Sequence, residues 1–248
     1  MSDFPTGKLQ DFFKFYDSSR PQHVQAVRDL EGHLRKIAPK LLSDEADWVK
    51  NWRKKPAPVA NSGQGKPMDV IYLPQYDSSL PGQAARTCQS SCVAMAAYHL
   101  KPGLFPAGIK QPDDWYIANV LRKFGDTTDM HAHVRALHSM GFRSQFRTDG
   151  DWDVIEQLLD AGSPVPIGIL HHGPPSSPTG GGHYILAVGY DSKFIYVNDP
   201  AGNLDLAGSG GYSAGWGKPT KGVGYSRENL GPRWMVGGTG GWFHQISI

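Results

Sequence analysis

Two apolar stretches flanking three polar residues, His183–Tyr190 and Phe194–Asp199, constrain this chain more than any other feature. Runs of that length, rich in valine, isoleucine and tyrosine and joined by a short polar turn, form a β-hairpin. With Asp191, Ser192 and Lys193 as the turn, Tyr190 pairs with Phe194 and His183 lies opposite Ala201. Asp199 then becomes the same-face diagonal neighbour of His183. A two-residue connection without a bulge would send the two side chains to opposite faces, so an imidazole–carboxylate pair here requires an odd loop. In that pair Asp199 orients the ring of His183 and fixes its tautomer.

The chain also offers a thiol. Thr87-Cys88-Gln89-Ser90-Ser91-Cys92, followed by Val93 to Tyr98, reads as a helix that opens at Cys88 with Thr87 as its N-cap. A helix N-terminus and an imidazolium neighbour both lower a thiol's pKa, which is what a cysteine nucleophile needs. Cys92, one turn on, is expected to face the core with Met95 and Ala96. The two thiols are helix neighbours but badly placed for a disulfide. The preceding loop carries Gln75, Asp77 and Gln83; either glutamine amide, with the Cys88 backbone N–H, can serve as an oxyanion donor, and spacing does not choose between them.

Composition excludes several classes. The net charge of +2 is too small to imply nucleic acid. No window approaches the ~20 apolar residues of a membrane span, and the N-terminus has no basic segment followed by an apolar one, so no signal peptide is expected. Gly180-Gly181-Gly182 has neither the lysine nor the following helix of a phosphate loop. The histidines at 131, 133, 138, 171 and 172 do not complete a four-ligand set with cysteine or carboxylate spacing, so neither a metal nor another cofactor is expected.

Helix-type spacing over residues 1–55 predicts a small helical domain with a targeting or docking role, and the proline- and glycine-rich stretch 56–68 an exposed linker. The main domain, 69–248, is expected to hold helices around 88–100, 113–124, 129–140 and 151–161. Strands are expected around 164–170, 183–190 and 194–199. Helices before sheet favour an α+β fold. The glycine-dense tail from 202 is expected to form long loops pinned by Trp216, Trp234 and Trp242.

Leu73-Pro74-Gln75-Tyr76-Asp77, the Cys88 segment, Ala161-Gly162-Ser163-Pro164, Gly182-His183-Tyr184 and Asn198-Asp199-Pro200 together resemble the peptidase C39-like family of papain-like cysteine peptidases over residues 69–248. The resemblance implies a papain-like fold with Cys88 as nucleophile, His183 as base, Asp199 as its orienting carboxylate and Gln75, rather than Gln83, as oxyanion donor. Gln89-Ser90-Ser91 departs from the family's common pattern after the cysteine. The tail resembles C39-like domains of bacteriophage proteins. That implies a peptidoglycan endopeptidase, located in the virion or in the host cytoplasm before release, with the helical domain docking on a phage structural protein. Two alternatives are a catalytically idle structural or binding module of a virus particle and a metal-dependent hydrolase.

Overall fold

The computed structural model describes residues 63–212, 218–238 and 240–248. The expected helical domain at 1–55, most of the expected linker and Trp216 lie outside these residues. The helices are α1 (Cys88–Leu100), α2 (Pro112–Asn119), α3 (Met130–Ser139), α4 (Trp152–Asp160) and α5 (Arg227–Trp234). The strands are β1 (Arg143–Gly150), β2 (Val165–Ile169), β3 (His183–Tyr190), β4 (Phe194–Asn198), β5 (Val223–Ser226) and β6 (Gly241–Ser247). All six strands form one antiparallel sheet in the order β1-β6-β2-β3-β4-β5. The fold is α+β, as the sequence predicts.

The tail departs from expectation. Where long loops were predicted, the chain forms β5, α5 and β6, and β6 inserts between β1 and β2. Trp234 is fully buried, whereas Trp242 is half exposed. β6 buries every residue from Phe243 to Ile246, so its sequence lacks the apolar–polar alternation of a strand with one wet face.

Helix α1 occupies the centre. Residues Gln89 to Ala97 are all buried, and the helix packs against β2, β3, β6 and α2. Small side chains such as Ala94, Ala96 and Ala97 allow that close approach, as expected of a helix covered all round. Helix α4 also packs on β2 and β3. All eight residues of β3 are buried, so both of its faces are covered.

The hairpin reaches the expected register by another route. Asp191 N donates to Phe194 O at 3.0 Å, which leaves Ser192 and Lys193 as a two-residue turn. The Asp191 carboxylate accepts from the N–H groups of Lys193 and Phe194 at 2.7 and 2.8 Å, an arrangement that suits aspartate to a tight turn. This connection is even, not odd as predicted. A bulge at Val188 compensates: Gly189 pairs with Tyr196, but Ala187 pairs with Val197 and Leu186 with Asn198. The extra residue restores at the site end the register that a three-residue turn would have set.

Residues 63–68, the described end of the expected linker, hydrogen-bond to the last turn-side residues of β3. β2 stops pairing with β3 at Ala187, and beyond that point Tyr190 N donates to Gly63 O, Gly65 N to Tyr190 O and Met68 N to Val188 O. Gly63 and Met68 are buried, while residues 64–67 between them are exposed. The approach is close: a Cβ on Gly189 would lie 2.4 Å from the Lys66 carbonyl oxygen.

Candidate active site

Helix α1 presents Cys88 at its first residue, half-buried, and β3 presents His183 at its own first residue, 5% exposed. Thr87 occupies the N-cap position, but its hydroxyl donates to Gln75 O at 3.3 Å and does not cap the helix. The N–H of Gln89 is thereby left to the Cys88 sulfur. Burial would raise the Cys88 thiol's pKa. The hydrogen bond and positive charge of His183, helped by the N–H groups of Tyr184 and Gln89, outweigh burial and bring it below the ordinary thiol value. Cys92 has no such partner, and burial pushes its pKa well up.

The imidazole continues to a carboxylate. His183 Nε2 donates to Asp199 Oδ1 at 2.9 Å. Burial works to lower the pKa of His183, but the charge of Asp199 and its hydrogen bond, with the Cys88 sulfur on the other side, raise it. The structure thus brings Cys88, His183 and Asp199 into one chain of contacts.

Asp199 is fully buried, and its carboxylate accepts four hydrogen bonds. Oδ1 receives His183 Nε2 and the Ala201 N–H at 3.0 Å; Oδ2 receives the hydroxyls of Tyr212 and Tyr225, both at 2.9 Å. Neither tyrosine was given a site role from the sequence, where each is a lone aromatic in a glycine-dense stretch. Arg233, given no site role from the sequence, has no carboxylate hydrogen-bonded to its guanidinium among the described residues. Its N–H groups donate to backbone carbonyls of Leu170, His172, Gly173, Leu206 and Gly208, tying together the two loops that flank Tyr212 and His171.

The two glutamines separate. Gln75 is 3% exposed; its N–H donates to Pro200 O at 2.9 Å, its carbonyl accepts from Thr87, and its Nε2 donates to Ala84 O at 3.0 Å. It therefore links the residue before Cys88 to the residue after Asp199, while its Oε1 is buried without a hydrogen-bond partner among the described residues. An orphaned buried acceptor costs about 1–3 kcal/mol. Gln83 instead accepts from Thr127 Oγ1 at 3.3 Å. The loop between Gln75 and Cys88 is anchored from α2, where Asp114 accepts from Ser78 Oγ at 2.6 Å and from both N and Oγ of Ser79 at 2.7 Å.

A cleft of about 500 Å³ opens beside Cys88, with Met130, Phe146, Tyr184 and Trp242 among its walls. The indole of Trp242 lies across β2, where a Cβ on Gly168 would come within 1.6 Å of its Nε1. Glycine at 168 is what admits the ring. Beneath the cleft, the side chain of Gln89 meets His244 Nε2 at 2.7 Å, which gives a structural use to the residue that departs from the family pattern.

The remaining histidines serve other ends. His133 is held between Tyr116 Oη and Thr127 O at 3.0 and 3.1 Å, and His138 meets Ser144 O. The rings of His171 and His172 lie 4.1 Å apart, tilted by 42°. Among the described residues no three His, Cys, Asp or Glu side chains are grouped to hold a metal ion.

A helix that carries a thiol, set against an antiparallel sheet that supplies the imidazole and carboxylate, defines the papain-like class of α+β folds. The chain belongs to the Peptidase_C39 like family, whose model matches residues 67–216, and is thus a member of a cysteine peptidase family. No curated protein matches it. Among solved structures, a Bacillus anthracis protein assigned as a C39-like peptidase is similar at 15% identity, covering 71% of this chain and 94% of its own, with a TM-score of 0.45. The peptidase domain of Streptococcus ComA, a bifunctional ABC transporter of a quorum-sensing pathway, is similar at 16% identity over 72% of this chain and 98% of that one, TM-score 0.39. A double-glycine-motif protease from an AMS/PCAT transporter, in complex with a leader peptide, gives 14%, 73%, 94% and 0.39.

Proposed function

We propose that this chain hydrolyses peptide bonds through a thioester on Cys88. The observation that carries the reading is the unbroken contact from the Cys88 sulfur through His183 to the buried Asp199 carboxylate. In this mechanism the thiolate attacks the scissile carbonyl carbon, and the oxyanion that forms is met by the Cys88 backbone N–H and by Gln75 Nε2, which spends only one hydrogen on Ala84. The His183 imidazolium gives its proton to the departing amine as the C–N bond breaks. The neutral ring then takes a proton from water, whose oxygen attacks the thioester, releasing the carboxylic acid and the sulfur. Asp199 keeps the ring oriented throughout.

The substrate we propose is the peptide portion of bacterial peptidoglycan, with the chain acting from a virion or after release from the host cytoplasm. Support comes from the resemblance of the Lys221–Trp242 region to domains of bacteriophage proteins. Residues 1–55 are proposed to dock the enzyme on a phage structural protein. Digestion of purified cell walls by wild type and by Cys88→Ala, read by mass spectrometry of the released fragments, tests both parts. New amine and carboxyl ends that appear only with wild type support the reading; identical fragments from both proteins overturn it.

A further inference from the structure

Asp199 is more heavily solvated by protein than orienting one imidazole requires. One hydrogen bond to Nε2 would hold the ring, yet Oδ2, the oxygen turned away from His183, takes two phenol hydroxyls at 2.9 Å. They come from separate elements: Tyr225 from β5, and Tyr212 from the loop before the undescribed residues 213–217. Tyr225 is itself fixed, because its oxygen accepts the Leu204 N–H at 3.0 Å. Both phenols are buried, at 6% and 2% exposure for Tyr212 and Tyr225, and burial holds both well above the usual phenol pKa, so each remains a donor.

We infer that Tyr212 and Tyr225 are positioning residues that tune the Cys88–His183 pair through Asp199. This rests on the reading of that pair as the reacting groups. Hydrogen bonds to an anion spread its charge. Two phenols on Oδ2 therefore leave Oδ1 a weaker base toward His183 than an unassisted carboxylate in the same dry site. The imidazolium stays charged beside the thiolate but can still surrender its proton. Other titratable groups around Asp199 and His183 are Cys88 and Cys92 from α1, Tyr72 and Tyr76 from the segment before it, and His171 from the turn after β2. Of these, Tyr72 also bonds to Asp199, but its hydroxyl donates to the backbone carbonyl oxygen at 2.9 Å. It is a natural control.

The test is the pH dependence of Cys88 alkylation by iodoacetamide in the full chain, which needs no knowledge of the substrate. Tyr212→Phe and Tyr225→Phe keep the rings and remove only the hydroxyls. Each is expected to move the alkaline transition, where His183 loses its proton, upwards by about half a pH unit or more. Tyr72→Phe removes a part-buried phenol hydrogen bond of the same length and is expected to leave the transition in place. An unmoved transition in both tyrosine variants, or an equal shift in Tyr72→Phe, overturns the inference. Direct titration of the His183 ring by NMR separates the two levels. If wild-type Cys88 alkylates as an ordinary thiol, the thiol reading fails, while a rise in the ring's pKa on removing either hydroxyl upholds the role of the phenols.

Discussion

His183 Nε2 and Asp199 Oδ1 meet at 2.9 Å across a hairpin whose turn has the wrong parity to bring them together. The contact exists because Val188 is an extra residue in β3. A one-residue change of register moves every side chain of a strand to the other face, so the bulge is as necessary to the pair as either partner.

Deletion of Val188 is therefore expected to leave a folded sheet with Asp199 turned away from His183. Rapid alkylation of Cys88 at neutral pH should be lost while the far-ultraviolet circular dichroism persists. Adding one residue between Ser192 and Lys193 to the same variant should restore the register and the labelling. Failure of the insertion to rescue a folded variant would show that the bulge does more than set parity.

Cys88→Ala and His183→Ala are each expected to lower turnover by about 10³-fold or more, since each removes a group that bonds to or protonates the substrate. Asp199→Asn should cost less, on the order of 10²-fold, and Cys92→Ser should change stability alone. Assays on wall-peptide digests, paired with thermal melts, distinguish these outcomes. Iodoacetamide should label Cys88 and spare Cys92, whose pKa burial raises.

Activity should fill the window between two displaced pKa values. It rises as pH passes the lowered value of Cys88 and falls as His183 loses its proton at its raised value. Stability follows the same pair. The His183 contribution is present in full below the unfolded histidine value and is lost as pH climbs through the folded one. The Cys88 contribution is present above the unfolded thiol value and is lost as pH drops through the folded one. A pH–rate profile of alkylation, without any substrate, gives both limits.

Acid should unfold this protein through a different set of groups. Burial lowers His133 to about 4 and His244 well below the usual imidazole range, and it lowers His171 to about 4 as well. Stability from these neutral rings is present above about pH 6.5 and is lost as pH falls through their folded values, by up to about 3 kcal/mol for His133. Asp113, raised to about 6 by burial, works in the opposite sense. Melting temperatures between pH 7 and 4.5 should fall, and His244→Gln should flatten the slope.

Trp242→Ala should widen the cleft beside Cys88, raising KM more than it lowers kcat. Gly168→Ala drives a methyl group into that indole and should cost about 1–3 kcal/mol. Combining the two should recover most of the lost stability, because the alanine at 168 then meets space. A double-mutant cycle on melting free energies measures the coupling.

Much of the site was legible because its members announce themselves locally. Cys88 opens an apolar helix, His183 opens an apolar strand, and Asp199 follows one. Helices at 88–100, 130–139 and 152–160 and the strands at 165–169, 183–190 and 194–198 lie close to where periodicity and turn residues put them. Gln75 was favoured over Gln83 only by family resemblance, and its ties to Thr87 and Pro200 are long-range contacts that no spacing encodes. Tyr212, Tyr225 and Arg233 escaped for the same reason: their partners are carboxylate or carbonyl oxygens distant in sequence. β6 escaped because a strand buried on both faces between two others shows no alternation, and its neighbours β1 and β2 lie far upstream. The turn was misjudged because a bulge inside an apolar strand leaves the composition unchanged.

The segment Gly63–Met68 sets a limit on trimming. A shortened polypeptide starting at residue 69, where the main domain was expected to begin, would strip hydrogen-bond partners from Val188 and Tyr190 and uncover a short ribbon of bare backbone. Such ribbons recruit the equivalent surface of another molecule, so that fragment should form soluble aggregates, while one starting upstream of residue 63 should not.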